Sequence, residues 1–336
     1  MEHETAIKRF SELVGDLPVD SIAKAHVRSF KESLAKLPPH ASKRYRGLTA
    51  AQVVEKLEGS EGEGVERLEP PTINKDLAVL SKLLKWGHNE GFIDTPGWSN
   101  PASGMLVKRR TQRQDDKDPY AAEDLIKIFT SPVFTEGERQ RGGAGEAQHW
   151  IPLLGLYTGA RLNELGQLLL SDIREQAGVP FIDIRADGEE KQLKNLASNR
   201  IVPIHSQLQR MGLLEYVDQM RDAGERRLFP LVKAAKPRAV TANFSKWWSN
   251  YTRKEFVGIE AQKKTFHSFR HTFIDCARMN RIPDSTWKAL VGHSGGTVSD
   301  DYGHGKGTMV ELLAEAVEHI QYPGLDLSHL YKKKSQ

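Results

Sequence analysis

The sequence predicts a mainly α-helical protein with a small antiparallel β-sheet (α+β), divided between two domains. Three observations carry this. Apolar residues recur at helical spacing through the first third, two short β-branched runs near residues 180 and 200 read as strands, and a polar, Pro-terminated stretch at 108–119 separates the parts. A chain of 336 residues, set against roughly 150 per domain, agrees with two domains and can bury a sizeable core.

Taken in order, Ile7, Phe10, Leu13 and Val14 share one helical face, with Gly15 and Pro18 as punctuation. A second helix runs through Val27, Phe30, Leu34 and Leu37, stops at Pro38-Pro39, and has Asp20 or Ser21 as its expected N-cap. Thr49 and Gln52 have capping-box spacing, and 59–64 is an acidic, glycine-rich loop. From Thr72 a longer helix carries Leu77, Leu80 and Leu84, and Gly91 stands where a left-handed C-terminal residue belongs. Such local helices suit a small bundle over 1–107. The stretch 108–118 reads as an interdomain linker. Its Lys108, Arg109, Arg110 and Arg113 have two readings: a solvated charged loop, or phosphate contacts made as the linker crosses DNA. A second domain follows over 119–321. It has helical stretches at 121–130 and 146–172, a hairpin of Val179–Arg185 and Arg200–His205, and helices to about 320. In the tail, 322–336, a Pro323-Gly324 break precedes Leu325, Leu327, Leu330 and Tyr331, which are too few to fold alone and must dock somewhere.

Composition excludes more than it assigns. With 48 Lys+Arg against 44 Asp+Glu the formal charge is +4, which permits a nucleic-acid partner without requiring one. A single Cys excludes a disulfide framework and Cys-rich zinc or iron–sulfur sites, and fits a reducing compartment. No apolar run approaches the ~18 residues of a membrane helix, and Met1–Ala6 does not begin a signal peptide, so a cytoplasmic protein is expected. No P-loop, no two-metal carboxylate cluster and no His-Glu-x-x-His motif is found; His267 and His271 stand four apart but without a third ligand at metal-site spacing, so neither metal nor cofactor is expected.

Three segments could carry chemistry. Thr158-Gly-Ala-Arg-Leu-Asn-Glu164 starts a helix after a tight turn, putting Arg161 where helix amides already favour an anion. Arg161 is therefore either held by Glu164 three residues on or serves an anionic ligand. In Phe266-His-Ser-Phe-Arg-His-Thr-Phe273, His267 and Arg270 share one helical face while Phe266, Phe269 and Phe273 bury the other. That pattern suits an anion site at a core edge, or a surface pair beside a satisfied histidine. Leu290-Val-Gly-His293 ends a helix, and Tyr302 follows nine residues after His293. A Tyr nucleophile, with a pKa near ~10, needs neighbouring Arg and His to activate it; a loop Tyr is otherwise ordinary surface.

Their order changes the reading. Thr158-Gly-x-Arg-x-x-Glu164, His267-x-x-Arg270, Leu290-x-Gly-His293 and Tyr302 together resemble the tyrosine recombinase, or phage integrase, family. The resemblance covers about 119–320 closely. It extends to the leading third, where Thr72-Ile-Asn-Lys, Gly91-Phe-Ile and Asn100-Pro101 look like the end of a core-binding domain. It implies a helical core-binding domain ahead of a recombinase catalytic domain. The family also uses a Lys on a β-hairpin; Lys194 keeps the spacing to Arg200 and Val202-Pro203, with Lys191 as rival. Helical patterning from about residue 6 leaves no room in this sequence for the arm-binding domain that many integrases carry ahead of the core-binding helices, so either this member lacks it or the sequence is part of a longer chain.

What the resemblance implies is site-specific cleavage and rejoining of DNA for a phage or other mobile element. Arg161 and Arg270 would clamp the phosphate, His267 and His293 would bond it or move a proton, Lys194 would protonate the leaving 5′-oxygen, and Tyr302 would form a 3′-phosphotyrosyl link. Implied partners are double-stranded DNA and three further copies in a homotetramer on DNA, with the tail working in trans. A directionality factor or host DNA-bending protein is a candidate accessory, and the cytoplasmic nucleoid is the expected location. Two other classes stay open: a type IB topoisomerase-like enzyme relaxing DNA, and a binding-only architectural protein. Recombination between two sites tells the first apart; the presence of all six candidate residues weighs against the second.

Overall fold

A computed structural model of the chain describes residues 2–58, 62–108, 118–185, 199–233, 240–259, 264–293 and 306–332, with side chains from 309 onward in the last of these. It divides into two units, Met1–Gln114 and Asp115–Gln336.

The first unit is helical: α1 (Glu2–Val14), α2 (Lys24–Lys36), α3 (Ala41–Arg44), α4 (Ala50–Lys56) and α5 (Pro70–Asn89). The apolar face predicted for α2 is the buried one, with Val27, Phe30 and Leu34 fully enclosed against Ile73, Leu77, Leu80 and Leu84 of α5. Thr49 and Gln52 form the anticipated box, the Gln52 amide donating to Thr49 Oγ1 at 3.3 Å and the Thr49 amide to Gln52 Oε1 at 2.9 Å. Gly91 is left-handed at φ +78°. The expected cap of α2 is displaced. Val19–Ser21 forms its own 3₁₀ turn, so Asp20 and Ser21 sit ahead of a helix that starts at Lys24 without a side-chain cap.

The second unit contains α6 (Ala122–Phe129), α7 (Pro132–Thr135), α8 (Ala147–Thr158), α9 (Leu162–Gly166), β1 (Ile173–Gln176), β2 (Val179–Ile184), β3 (Arg200–Pro203), α10 (Ser206–Arg210), α11 (Leu213–Asp222), α12 (Ala242–Tyr251), α13 (Ser268–Met279), α14 (Asp284–Val291) and α15 (Lys306–Glu318). The helix expected over 146–172 is two helices. Gly159 takes a left-handed φ of +60° and breaks the chain between them, because one amphipathic rod could not bury α8 on every side and still return to the surface at Arg161. α8 runs through the core, with Trp150 to Thr158 all buried. The predicted hairpin pairs β2 with β3 antiparallel, Phe181 opposite Pro203 and Ile184 opposite Arg200. A further strand, β1, precedes it and pairs Gln176 with Val179 across a tight turn. Ile-Arg-Glu-Gln is too short and polar to announce itself.

The tail lies on its own domain. Tyr322 Oη donates to Leu156 O at 2.6 Å, Tyr331 Oη to Gln207 Oε1 at 2.5 Å, and the Arg210 guanidinium stacks 4.1 Å from the Tyr331 ring centre. Leu327 is buried in the same core. These are the contacts of a single chain, with Tyr322 reaching α8; docking of the tail on a neighbouring copy concerns the assembly on DNA. Residues 333–336 lie outside the described residues.

Candidate active site

The site is built on close packing of α8 against α13. A Cβ on Gly155 would meet Phe266 Cζ at 2.9 Å, and one on Gly159 would meet Phe273 Cδ1 at 2.9 Å and Val291 Cγ1 at 3.0 Å, so glycine is what lets the elements approach. Thr158 preorganises the corner. Its hydroxyl donates to Leu154 O at 2.5 Å and accepts from the Ala160 amide at 3.2 Å. The freed Gly159 carbonyl accepts from Arg270 Nη1 at 2.9 Å. Thus Thr158-Gly159 holds Arg270 from 111 residues away.

Each predicted side chain among the described residues has an identifiable support. Arg161 is the N-cap residue of α9, and its side chain is 31% exposed. Glu164, nearly fully buried, accepts from Arg161 Nη1 at 2.7 Å and from the Arg161 amide at 2.8 Å. Pairing with Glu164 and openness to a ligand therefore coexist. His267 immediately precedes α13, whose first turn is fastened by the Thr265 amide donating to Ser268 Oγ at 3.0 Å. Phe266, Phe269 and Phe273 are buried, leaving the exposed His267 on the open side. Arg270 is only 2% exposed. His293 is exposed and follows left-handed Gly292 at φ +66°; its amide caps α14 by donating to Lys288 O at 3.0 Å.

Electrostatics shows that these four side chains converge. Burial, followed by the charges of Arg161 and Arg200, pushes Arg270 down to about 9. Desolvation, then His271, Arg270 and Arg161, pushes His267 down to about 4, so the imidazole is neutral at pH 7. His293 is lowered by desolvation and by the same two arginines. Burial would raise Glu164, but the Arg200 charge and the hydrogen bonds from Arg200 and Arg161 outweigh it and keep the carboxylate ionised. Arg270 Nη2 is buried and has no hydrogen-bond partner among the described residues. Clustered cations beside an unsatisfied buried donor make a preorganised anion site, since an orphaned charged N–H is tolerated only where a ligand completes it.

Lys194, its rival Lys191, and Tyr302 lie outside the described residues, as do Arg109, Arg110 and Arg113 of the linker. Lys108 is exposed at the end of the first unit's described chain. Among the described residues no three His, Cys, Asp or Glu group as metal ligands, and no helix is long and apolar enough to cross a membrane. In the sequence, Glu164 stands out only as a neighbour of Arg161, and Arg200 only as part of a spacing pattern. Their contact, Arg200 Nη2 to Glu164 Oε2 at 2.7 Å, spans 36 residues and has no local signal.

Residues 147–307 match the family model described as the phage integrase family. No curated protein matches the chain. Among solved structures, a fragment of the Tn1549 transposon integrase in complex with a circular intermediate DNA is 16% identical, over 92% of this chain and 90% of that one, with a TM-score of 0.53. The same integrase with transposon right end DNA gives 15%, 94%, 93% and 0.52. A lambda integrase dimer bound to a COC′ core site is 16% identical over 99% of this chain and 73% of that one, at a TM-score of 0.49. At these identities the Tn1549 likeness is one of fold, and it extends over both units. The family match encloses Arg161, His267, Arg270, His293 and Tyr302, and over residues 147–307 this chain carries a domain that matches the phage integrase family.

Proposed function

We propose that this protein is a site-specific DNA recombinase that cleaves and rejoins strands through a 3′-phosphotyrosyl link, integrating or excising a mobile element. The observation that carries the reading is Arg270: a buried guanidinium anchored by one nitrogen to Gly159 O while the other lacks a partner. A phosphodiester supplies what that nitrogen lacks. Its two non-bridging oxygens match the forked donors of Arg270 and Arg161, and these cations stabilise the charge that grows in the transition state. Neutral His267 accepts a proton from Tyr302 as it attacks, and His293 donates to the same phosphate. Lys194 protonates the departing 5′-oxygen. The covalent link conserves the energy of the phosphodiester, so rejoining needs no nucleotide.

Two duplexes present four strands and each copy supplies one Tyr302, so exchange between paired sites takes a homotetramer on DNA. The exchange is close to isoenergetic, which leaves direction to an accessory such as a directionality factor or a DNA-bending protein. The Tn1549 integrase, solved in complex with DNA, supports double-stranded DNA as the partner. The substrate places the enzyme on chromosomal DNA in the cytoplasm. The test is Tyr302→Phe on a suicide duplex that traps the intermediate. Adduct and recombination should vanish while DNA affinity stays within about 1 kcal/mol, since only a hydroxyl is lost. Retained adduct would name another nucleophile.

A further inference from the structure

Arg200 is the first residue of β3, and its side chain is 5% exposed. Nε donates to Leu290 O at 2.7 Å, and Nη2 donates to Glu164 Oε2 at 2.7 Å. A Cβ built on Gly292 would lie 3.0 Å from Arg200 Nη1, so the corner that ends in His293 closes directly over this guanidinium. Two separate segments of the site are therefore gauged against one rigid planar group. One is Glu164, which holds Arg161 by both its side chain and its amide. The other is the last turn of α14, from Leu290 to His293.

We propose that Arg200 is a positioning residue for strand transfer: it sets Arg161, through Glu164, and His293, through the Leu290–Gly292 corner, at the spacing that one phosphate requires. The edge formed by Nε and Nη2 has a fixed separation, and here it is shared between two acceptors that belong to different segments. A guanidinium thereby acts as a spacer, which a lysine ammonium cannot do, being a point charge on a flexible stem. Glu164 keeps Arg161 as a counter-charge if Arg200 is removed, so the carboxylate is not left bare. The loss should fall on geometry before it falls on folding. Misplacement of catalytic groups by about an ångström is enough to cost on the order of 10²-fold in rate.

This inference rests on the phosphotyrosyl reading, and the experiment separates the two. Single-turnover adduct formation on a suicide duplex is followed for the full-length protein, Arg200→Lys and Arg200→Ala, with DNA affinity and thermal unfolding measured on the same preparations. Absence of adduct from the unsubstituted protein would end the recombinase reading itself. If it forms adduct, both variants should bind DNA within about threefold of it yet cleave saturating DNA slower by on the order of 10²-fold. Added guanidinium ion should restore part of the rate to Arg200→Ala and none to Arg200→Lys, whose ammonium fills the space. Combining Arg200→Lys with Glu164→Gln should lose less than the product of the single losses, because both act along one path. Arg200→Lys cleaving at the unsubstituted rate would overturn the inference, as would a defect confined to DNA affinity. Should Arg200→Ala not fold, the lysine variant and its combination with Glu164→Gln decide the matter by the same criteria.

Discussion

Replacing Arg270 by Met should make the protein more stable and inactive together. Arg270 is 2% exposed, and burial beside Arg161 and Arg200 moves its pKa from 12.5 down to about 9. A cation whose folded pKa is depressed contributes full stability only above the unfolded value, and that contribution is lost as pH falls through the folded one. At pH 7 the whole penalty therefore applies. A drop of that size corresponds to roughly 5 kcal/mol, taken as an upper bound. Met reproduces the inner part of the Arg stem and carries no charge, but it is shorter and leaves some space unfilled. Removing the guanidinium abandons the bond to Gly159 O, and a carbonyl left unpaired costs about 1–3 kcal/mol. With the unfilled space also counted against it, the balance favours the variant by at most about 2 kcal/mol, or up to roughly 4–8 °C in Tm for a domain of this size. Cleavage should meanwhile fall by about 10²–10³-fold, the scale of losing one preorganised donor to a developing oxyanion. Thermal unfolding at pH 7 and adduct formation on a suicide duplex read the two effects. A lowered Tm would refute the stored-charge argument, and adduct at the unsubstituted rate would refute the role of Arg270.

Other expectations concern residues with separate assays. His267 is pushed down to about 4, so nuclear magnetic resonance should find its ring neutral at pH 7 in the free protein, and cleavage should fall only as pH drops toward that value; titration at or above pH 6.5 would show that burial and the neighbouring cations do not hold it down. Lys194→Ala should regain cleavage on a substrate with a 5′-thiolate leaving group, which needs no proton, and rescue of Lys191→Ala instead would shift the assignment by three residues. Neutralising Lys108, Arg109, Arg110 and Arg113 together should make the salt dependence of DNA binding shallower by about 0.9 in log–log slope for every phosphate no longer neutralised; an unchanged slope would return 108–118 to a solvated loop.

The helical character of both units, the β2–β3 hairpin and the candidate residues Arg161, His267, Arg270 and His293 were legible without coordinates. These features depend on short-range chemistry: apolar spacing writes a helix face, Thr-Gly and Leu-x-Gly-His write helix ends, and β-branched runs write strands. Tertiary structure decided what local pattern could not encode. Gly159 splits the expected long helix because its φ of +60° and its contact with Phe273 and Val291 are needed at the same point, and only packing between α8 and α13 creates that need. The cap of α2 moved because Asp20 and Ser21 were drawn into a turn of their own. The tail folded onto α8 because burying Tyr322 and Leu327 depends on a surface assembled from distant segments. The bridge from Arg200 to Glu164 and to Leu290 spans 36 and 90 residues, and a guanidinium carries no mark in the sequence of which acceptors its fork will reach. Residue types and their order were enough to name the chemistry, while the charge balance that leaves one buried donor of Arg270 waiting for an anion exists only once α8, α9, α13 and β3 are packed together.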